Sequence, residues 1–321
     1  MNYLKCSLVT GALIALMMGV SGAAMANSDE EQLKRMADPD QWPAPGRDFG
    51  LTRHSALADI NGGNVNKLQM IWLQGTNALR GHEGQPLVIK DVGGKTMLFM
   101  VSGCPAMSNC NVVQGLDLTD PDNPKQVWNY VKKTDRDESA VPRACCDTVN
   151  RGGSFADGKF VYGTLDGFVI ALDGQTGQEV WVVKHAWPEK GETITPAPLI
   201  ADDKVIIGFG GDEFAARGRV TAYSLADGSK VWECQSTGSD ADVCLTPDTN
   251  KANPQYGQAG SDLGIKTFPG EDYKIGGGAA WGWYSYDPES KVVYYSTGNP
   301  GLWSPAYRCP DKTHEECNAG D

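Results

Sequence analysis

Two stretches of this chain are copies of one phrase, and that phrase restricts the fold more than any other feature. Ala171-Leu-Asp-Gly-Gln-Thr-Gly-Gln-Glu-Val-Trp181 and Ala222-Tyr-Ser-Leu-Ala-Asp-Gly-Ser-Lys-Val-Trp232 share their apolar start, their turn and their closing Val-Trp. A looser copy runs from Gly115-Leu-Asp-Leu to Val127-Trp128, and Leu68-Gln-Met-Ile-Trp72 reads as the tail of another. Each copy predicts a hairpin: a strand ends in Ala-x-Asp, turns through Thr-Gly or Asp-Gly, and re-enters a strand that ends in tryptophan. The tryptophans stand at 72, 128, 181 and 232, a spacing of roughly 50 residues, which is about one four-stranded propeller blade. Further β-rich runs (Lys159-Phe-Val-Tyr, Lys204-Val-Ile-Ile, Lys291-Val-Val-Tyr-Tyr) follow polar turns, and few stretches show helical period. Blades that close into a ring fit this pattern better than an open stack.

The beginning of the chain reads as an export signal. Lys5 supplies the positive end, Leu8 to Val20 a short apolar run, and Ala24-Met25-Ala26 a small-x-small cleavage pattern. The expected organisation is a signal peptide at 1–26 and one propeller domain over 27–321, with no linker and no transmembrane segment. Cys6 precedes the apolar run, so eight of the nine cysteines remain after cleavage. They form four close pairs: Cys104/Cys110, Cys145/Cys146, Cys234/Cys244 and Cys309/Cys317. Disulfides in an oxidising compartment are the expectation. Zinc fits less well, because there are four histidines and no C-x-x-C spacing. The formal net charge of −12 and the lack of any basic block argue against nucleic acid as a partner.

Adjacent cysteines rarely bond, because the small ring is strained. A bonded Cys145-Cys146 pair would present a rigid, flat, sulfur-rich plate suited to stacking on a flat ligand. With this pair, the tryptophan phrase and the motifs Arg80-Gly-His-Glu-Gly84, Cys145-Cys-Asp-Thr-Val-Asn-Arg151 and Trp281-Gly-Trp-Tyr-Ser-Tyr-Asp-Pro288, the chain resembles the methanol/ethanol family of quinoprotein alcohol dehydrogenases. That family binds pyrroloquinoline quinone (PQQ) with a metal ion. The resemblance covers residues 40–321 and implies an all-β, eight-bladed propeller, of which about the first half is present.

PQQ is a planar, tricarboxylated ortho-quinone, so its holder needs flat walls, donors for the carboxylates and a hard metal at the quinone oxygen. The resemblance assigns one wall to Cys145-Cys146 and the other to Trp281, with Trp283 as a core aromatic. It gives Arg151, Glu83 and Thr195 cofactor contacts, and places Gly210 and Gly211 against the cofactor. Glu213 and Asn299 match the family's metal ligands in this half of the chain. A carboxylate and an amide oxygen suit Ca²⁺ or a lanthanide ion. Asp212 is a further negative charge, expected to face away from Glu213 if the two lie on a strand. Gly210 and Ala279 replace a hydroxyl residue and a threonine found in the methanol branch. The family's catalytic aspartate falls beyond Asp321, so no catalytic residue is expected here.

The activity implied is oxidation of a short primary alcohol, methanol first, in the periplasm, with electrons passed to a soluble c-type cytochrome; a homodimer or a small-subunit partner is compatible with it. The text leans towards the lanthanide-type form. Two alternatives stand beside it: an enzyme for ethanol, longer or aromatic alcohols, and a non-enzymatic periplasmic propeller scaffold. The scaffold has no use for Cys145-Cys146 combined with Trp281, Glu213 and Asn299.

Overall fold

The structure is a computed structural model that describes residues 27–76, 78–79, 81–103, 111–132, 137–144, 146–246, 260, 262–266, 268, 270–299 and 301. The pairs Cys104/Cys110 and Cys309/Cys317, Cys145 itself and the segment 1–26 lie outside these residues. The repeat folds into antiparallel four-stranded sheets. The first contains β2 (Leu87–Val92), β3 (Lys95–Ser102), β4 (Val112–Asp117) and β5 (Lys125–Val131), in chain order. The second contains β6 (Asn150–Ala156), β7 (Lys159–Gly163), β8 (Phe168–Asp173) and β9 (Glu179–Lys184), and β1 (His82–Gln85) adds to it parallel to β6. The third contains β10 (Leu199–Ala201), β11 (Lys204–Ile207), β12 (Arg219–Ser224) and β13 (Lys230–Gln235). A two-stranded sheet of β14 (Ser285–Asp287) and β15 (Val292–Tyr294) follows.

The second sheet is buried on both faces. Along β8, Val169 and Ala171 belong to the core shared with the third sheet, whereas Ile170 and Leu172 belong to the core shared with the first. Alternate side chains of a strand point to opposite faces, so a continuous apolar run serves two cores at once. In the core between the first two sheets, Phe99 stacks on Phe155 and Phe160 at centroid distances of 5.4 and 5.1 Å.

The repeated tryptophan joins one sheet to the next. Trp128 donates its indole N–H to the Gly174 carbonyl at 3.1 Å, and Trp181 donates to the Leu225 carbonyl at 3.0 Å. Each ring lies flat on the turn glycine of the following copy. A Cβ at Gly177 would sit 2.6 Å from Trp128, and one at Gly228 would sit 2.9 Å from Trp181. Both glycines have positive φ, +71° and +74°. One residue type therefore provides the turn conformation and the flat seat together. Under each ring the paired residue on the preceding strand is small: Gly115 opposite Trp128, Ala171 opposite Trp181 and Ala222 opposite Trp232.

One local expectation is corrected. Residues 68–72 form no strand and pair with no described strand, and Met70 and Leu73 are exposed. A helix not anticipated from the sequence, α1 (Ser28–Ala37), opens the described chain, capped by the Asn27 side chain, which accepts from Asp29 N at 2.9 Å. The signal was local: Asn27 followed by three acidic residues in the first turn. The helix clasps the β10–β11 turn through mutual 2.8 Å hydrogen bonds between Ser28 and Asp203, and Asp29 accepts from the Tyr286 hydroxyl at 2.8 Å. The Cys234–Cys244 disulfide is formed as expected. Among the described residues, no helix is long and apolar enough to cross a membrane.

A buried polar network lies between the second and third sheets. Arg219 meets Glu192 with two parallel hydrogen bonds of 2.8 and 3.0 Å, donates to the His185 carbonyl and lies over the Phe209 ring. The His185 ring is hydrogen-bonded to the Tyr223 hydroxyl at 3.0 Å. Burial, reinforced by the Arg219 charge, pushes the imidazole down to about 3 from its ordinary 6.5.

Two stability outcomes follow for the complete protein. Trp181→Ala should cost about 3–5 kcal/mol, because a buried indole is lost and the gap cannot fill. Trp181→Phe should cost less, chiefly the hydrogen bond to Leu225, and denaturant unfolding at neutral pH measures both. His185 has a folded pKa below its unfolded one, so the unfolded state takes up the proton first. Its contribution is therefore intact above pH 6.5 and lost as the pH falls towards 3. His185→Gln should flatten the acid limb of stability against pH over that window, and parallel curves for the two proteins would contradict it.

Candidate functional site: a cavity at one rim of the sheets

In an antiparallel sheet the first strand begins, and the second strand ends, at the same edge. The predicted site residues that the structure describes lie near those points, Glu83 by way of β1. Glu83 lies in β1 beside the start of β6, Arg151 stands at the start of β6, Thr195 precedes β10 and Trp281 precedes β14. Gly210, Gly211 and Glu213 follow β11, and Asn299 follows β15. Topology thus gathers residues more than 200 positions apart in sequence at one rim.

All of those residues except Glu83 meet around a cavity of about 230 Å³. Its lining includes Cys146, Arg151, Thr195 and Trp281, together with Gly210, Gly211, Glu213 and Asn299. Two lining residues were not anticipated, Val149 and Thr193. Both stand two positions before a residue that was, Arg151 and Thr195, and a strand-like period of two would have found them. Cys146 is disulfide-bonded, whereas Cys145 lies outside the described residues. Trp283 does not line this cavity; it packs beside Phe49 and Tyr284, with the Arg53 guanidinium 4.7 Å from its ring centre.

Arg151 is the most constrained charge in the wall. Its Nη2 pairs with Glu83 Oε2 at 2.9 Å, its backbone N–H donates to the Thr195 carbonyl at 3.1 Å, and its guanidinium lies 5.0 Å from the centre of the Trp281 ring. Burial acts to lower its pKa and the Glu83 charge opposes this, but a guanidinium stays protonated throughout the working range. Glu83 does not line the cavity. It reaches the site through Arg151.

The cavity floor is set by backbone. Thr193 and Gly210 exchange hydrogen bonds of 3.0 and 2.8 Å, which tie the segment before β10 to the end of β11. At Gly210 a Cβ would meet Trp281 Cβ at 3.6 Å and Thr195 Oγ1 at 3.7 Å, ordinary contact distances, so a hydroxyl residue has room there. Gly211 differs: at φ +148° a Cβ would collide with the Gly191 carbonyl oxygen.

The acidic pair departs from the strand expectation. Asp212–Phe214 is a single 3₁₀ turn, so neighbouring side chains need not take opposite faces of a strand. Glu213 is exposed to the cavity, and Asp212 is buried behind it. Burial raises the Asp212 carboxyl above its ordinary range; the Ala279 N–H, donating at 2.8 Å, pulls it down, and the Glu213 charge pushes it up.

The residues present fit a flat, anionic cofactor with a hard metal ion. An indole face and a bonded sulfur share one wall system, with a guanidinium and two threonines beside them. Glu213 and Asn299 supply two oxygen donors. Among the described residues no group of three or more His, Cys, Asp and Glu could hold a metal unaided, so further ligands must come from elsewhere, as an oxygen-rich cofactor allows.

Comparison with known proteins agrees with this geometry. Residues 42–304 match the family described as PQQ glucose/ethanol/alcohol dehydrogenase, β-propeller domain. A lanthanide-dependent methanol dehydrogenase of Methylacidiphilum fumariolicum (strain SolV) is 44% identical over 95% of this chain and 48% of its own length. Methanol dehydrogenase [cytochrome c] subunit 1 of Paracoccus denitrificans is 36% identical over 93% of this chain and 46% of its own. The solved structure of a europium-containing methanol dehydrogenase superposes with a TM-score of 0.79 at 45% identity, covering 87% of this chain and 46% of that one. The chain spans about half the length of the relatives it matches. With a family match over most of its length and the site residues gathered at one rim, this chain belongs to the PQQ-dependent glucose/ethanol/alcohol dehydrogenase β-propeller family.

Proposed function

We propose that the chain is the amino-terminal part of an eight-bladed quinoprotein dehydrogenase that oxidises a short primary alcohol, methanol first, to the aldehyde. One observation carries the reading. Cys146, Arg151, Trp281, Glu213 and Asn299, expected as cofactor and metal residues from separate segments, share the lining of a single cavity. Residues 1–26 act as a cleaved export signal in this reading, 27–321 form the first blades, and the mature protein works in the periplasm. Electrons leave to a soluble c-type cytochrome, in keeping with the name of the Paracoccus relative.

A bound PQQ would supply a two-electron acceptor for the alcohol, and a metal ion held by Glu213 and Asn299 would supply Lewis-acid assistance. The chain's own residues bind and orient. Trp281 and a Cys145–Cys146 disulfide form the flat walls. Arg151 offers a fork of N–H donors to a cofactor carboxylate, and Glu83 and the Thr195 carbonyl hold that fork in place. The Thr195 and Thr193 hydroxyls, on buried residues, give neutral donors beside it. Glu213 and Asn299 hold the metal, with lanthanide favoured over Ca²⁺ by the names of the relatives. The proton acceptor for the alcohol is expected beyond Asp321.

The reading is tested on the complete protein reconstituted with PQQ and either Ca²⁺ or a lanthanide. Glu213→Gln should weaken metal binding by more than about tenfold, since even the outer partners of metal ligands are worth that much, and turnover should fall with it. Unchanged metal content and turnover would refute the ligand role. Arg151→Lys keeps the charge and loses the fork; the quinone dissociation constant should rise by about 10- to 100-fold with little change in the unfolding midpoint. A folded wild-type protein that takes up neither quinone nor metal would favour the scaffold alternative.

A further inference from the structure

Glu213, Trp281 and Asn299 come from three segments that are far apart in sequence: the turn after β11, the glycine-rich run before β14 and the loop after β15. A shared cavity needs their relative positions held to a fraction of an ångström. The structure shows one place where the three segments lock together. The Asp212 carboxylate accepts from the Ala279 N–H at 2.8 Å in a fully buried contact. The Ala279 carbonyl in turn accepts from the Gly298 N–H at 2.8 Å, and the Asn299 carbonyl accepts from the Gly278 N–H at 3.1 Å.

Side-chain packing completes the knot. Gly298 lies so close to Asp212 Oδ2 that any Cβ there would collide with it, and the same Cβ would be 2.7 Å from Trp281 Nε1. Asp212 is next to Glu213, Ala279 stands two residues before Trp281, and Gly298 is next to Asn299. Asp212 itself is 5% exposed and does not line the cavity.

We propose that Asp212 is a positioning residue, whose buried carboxylate sets the register of Glu213, Trp281 and Asn299 by holding the Ala279 peptide against the acidic turn. The role is geometric. A side chain without an acceptor at this position leaves the Ala279 N–H, at 0% exposure, with no partner and frees the turn that carries Glu213. Removing the Asp212 carboxylate also opens a gap under Gly298, so the Asn299 loop loses the surface it rests on. Metal and quinone contacts then suffer together, though Asp212 touches neither.

The proposal rests on the metal-and-quinone reading of the cavity, and the test separates the two. Wild-type complete protein, Asp212→Asn, Asp212→Ser and Asp212→Ala are titrated with Eu³⁺ and then with PQQ, following metal emission, quinone absorbance and unfolding temperature. Asparagine keeps an acceptor for the Ala279 N–H without the charge, whereas serine is too short to reach it and alanine has none. Asp212→Asn should bind Eu³⁺ within about threefold of wild type, and Asp212→Ser and Asp212→Ala should each lose about tenfold or more, the cost typical of partners that orient metal ligands. The loss should persist well below the unfolding temperature of each variant, which a merely stabilising role would not produce. If Asp212→Ala does not fold, the contrast between asparagine and serine decides. Serine or alanine variants that load like wild type would overturn the proposal, and so would an asparagine variant as impaired as they are. Wild type that binds neither ion nor quinone would instead overturn the reading of the cavity.

Discussion

The indole N–H that reaches from one sheet to a carbonyl of the next is the contact on which the rest of the architecture depends. A four-stranded sheet that is apolar on both faces has no stable existence alone, because each face must meet another sheet. The Trp128–Gly174 and Trp181–Leu225 bonds fix where that meeting happens. An indole seated flat on a turn glycine allows one translation and one angle between neighbours. The hydrogen bond makes sliding costly, since a buried N–H would lose its partner. Repeating the same seat imposes the same step from sheet to sheet.

Regular stepping is what creates the site. Every sheet presents the start of its first strand and the end of its second at one rim, so equivalent positions of successive sheets converge there. None of the cavity residues needs a special scaffold of its own. Arg151, Thr195 and Trp281 are the last residues before, or the first residues of, an opening strand; Gly210, Glu213 and Asn299 stand just past a second strand. The turn after β11 carries more chemistry than its neighbours, and it is held by several independent ties: the exchange between Thr193 and Gly210, the Asp212–Ala279 bond and the close approach of Gly211 to the Gly191 carbonyl.

The charges around the cavity differ in setting from the buried pair behind it. Arg219 is buried, and its paired hydrogen bonds with Glu192 brace the segment leading to Thr193. The charges offered to a ligand are braced on one side and open on the other. Arg151 is gripped by Glu83 and by the Thr195 carbonyl and still faces the cavity, and Glu213 stands exposed in front of the buried Asp212. Preorganisation of this kind lowers the cost of ordering a binding group when the ligand arrives.

The blade repeat, the docking tryptophans and the Cys234–Cys244 bridge were legible in the residues alone, and the family resemblance supplied most of the cavity lining. Turn glycines, alternating apolar strands and ring-sized side chains act over a few neighbours, and local physics leaves a local trace. Helix α1 left a trace too, in the Asn27 cap, but a weak one that composition masked. Residues 68–72 show the opposite failure: a strand-like text forms no strand where no described segment pairs with it. Other facts had no local trace at all. That Glu83 acts through Arg151, that Asp212 turns away from the cavity while Glu213 faces it, and that the Ala279 peptide ties three segments together depend on contacts across tens to hundreds of residues. The sequence by itself determined the strands of the repeat and which side chains are chemically able to hold a quinone and a hard ion. Only the tertiary structure decided which of them meet and in what order they lean on one another, because distances between separate sheets are set by packing, and packing is a property of the whole core.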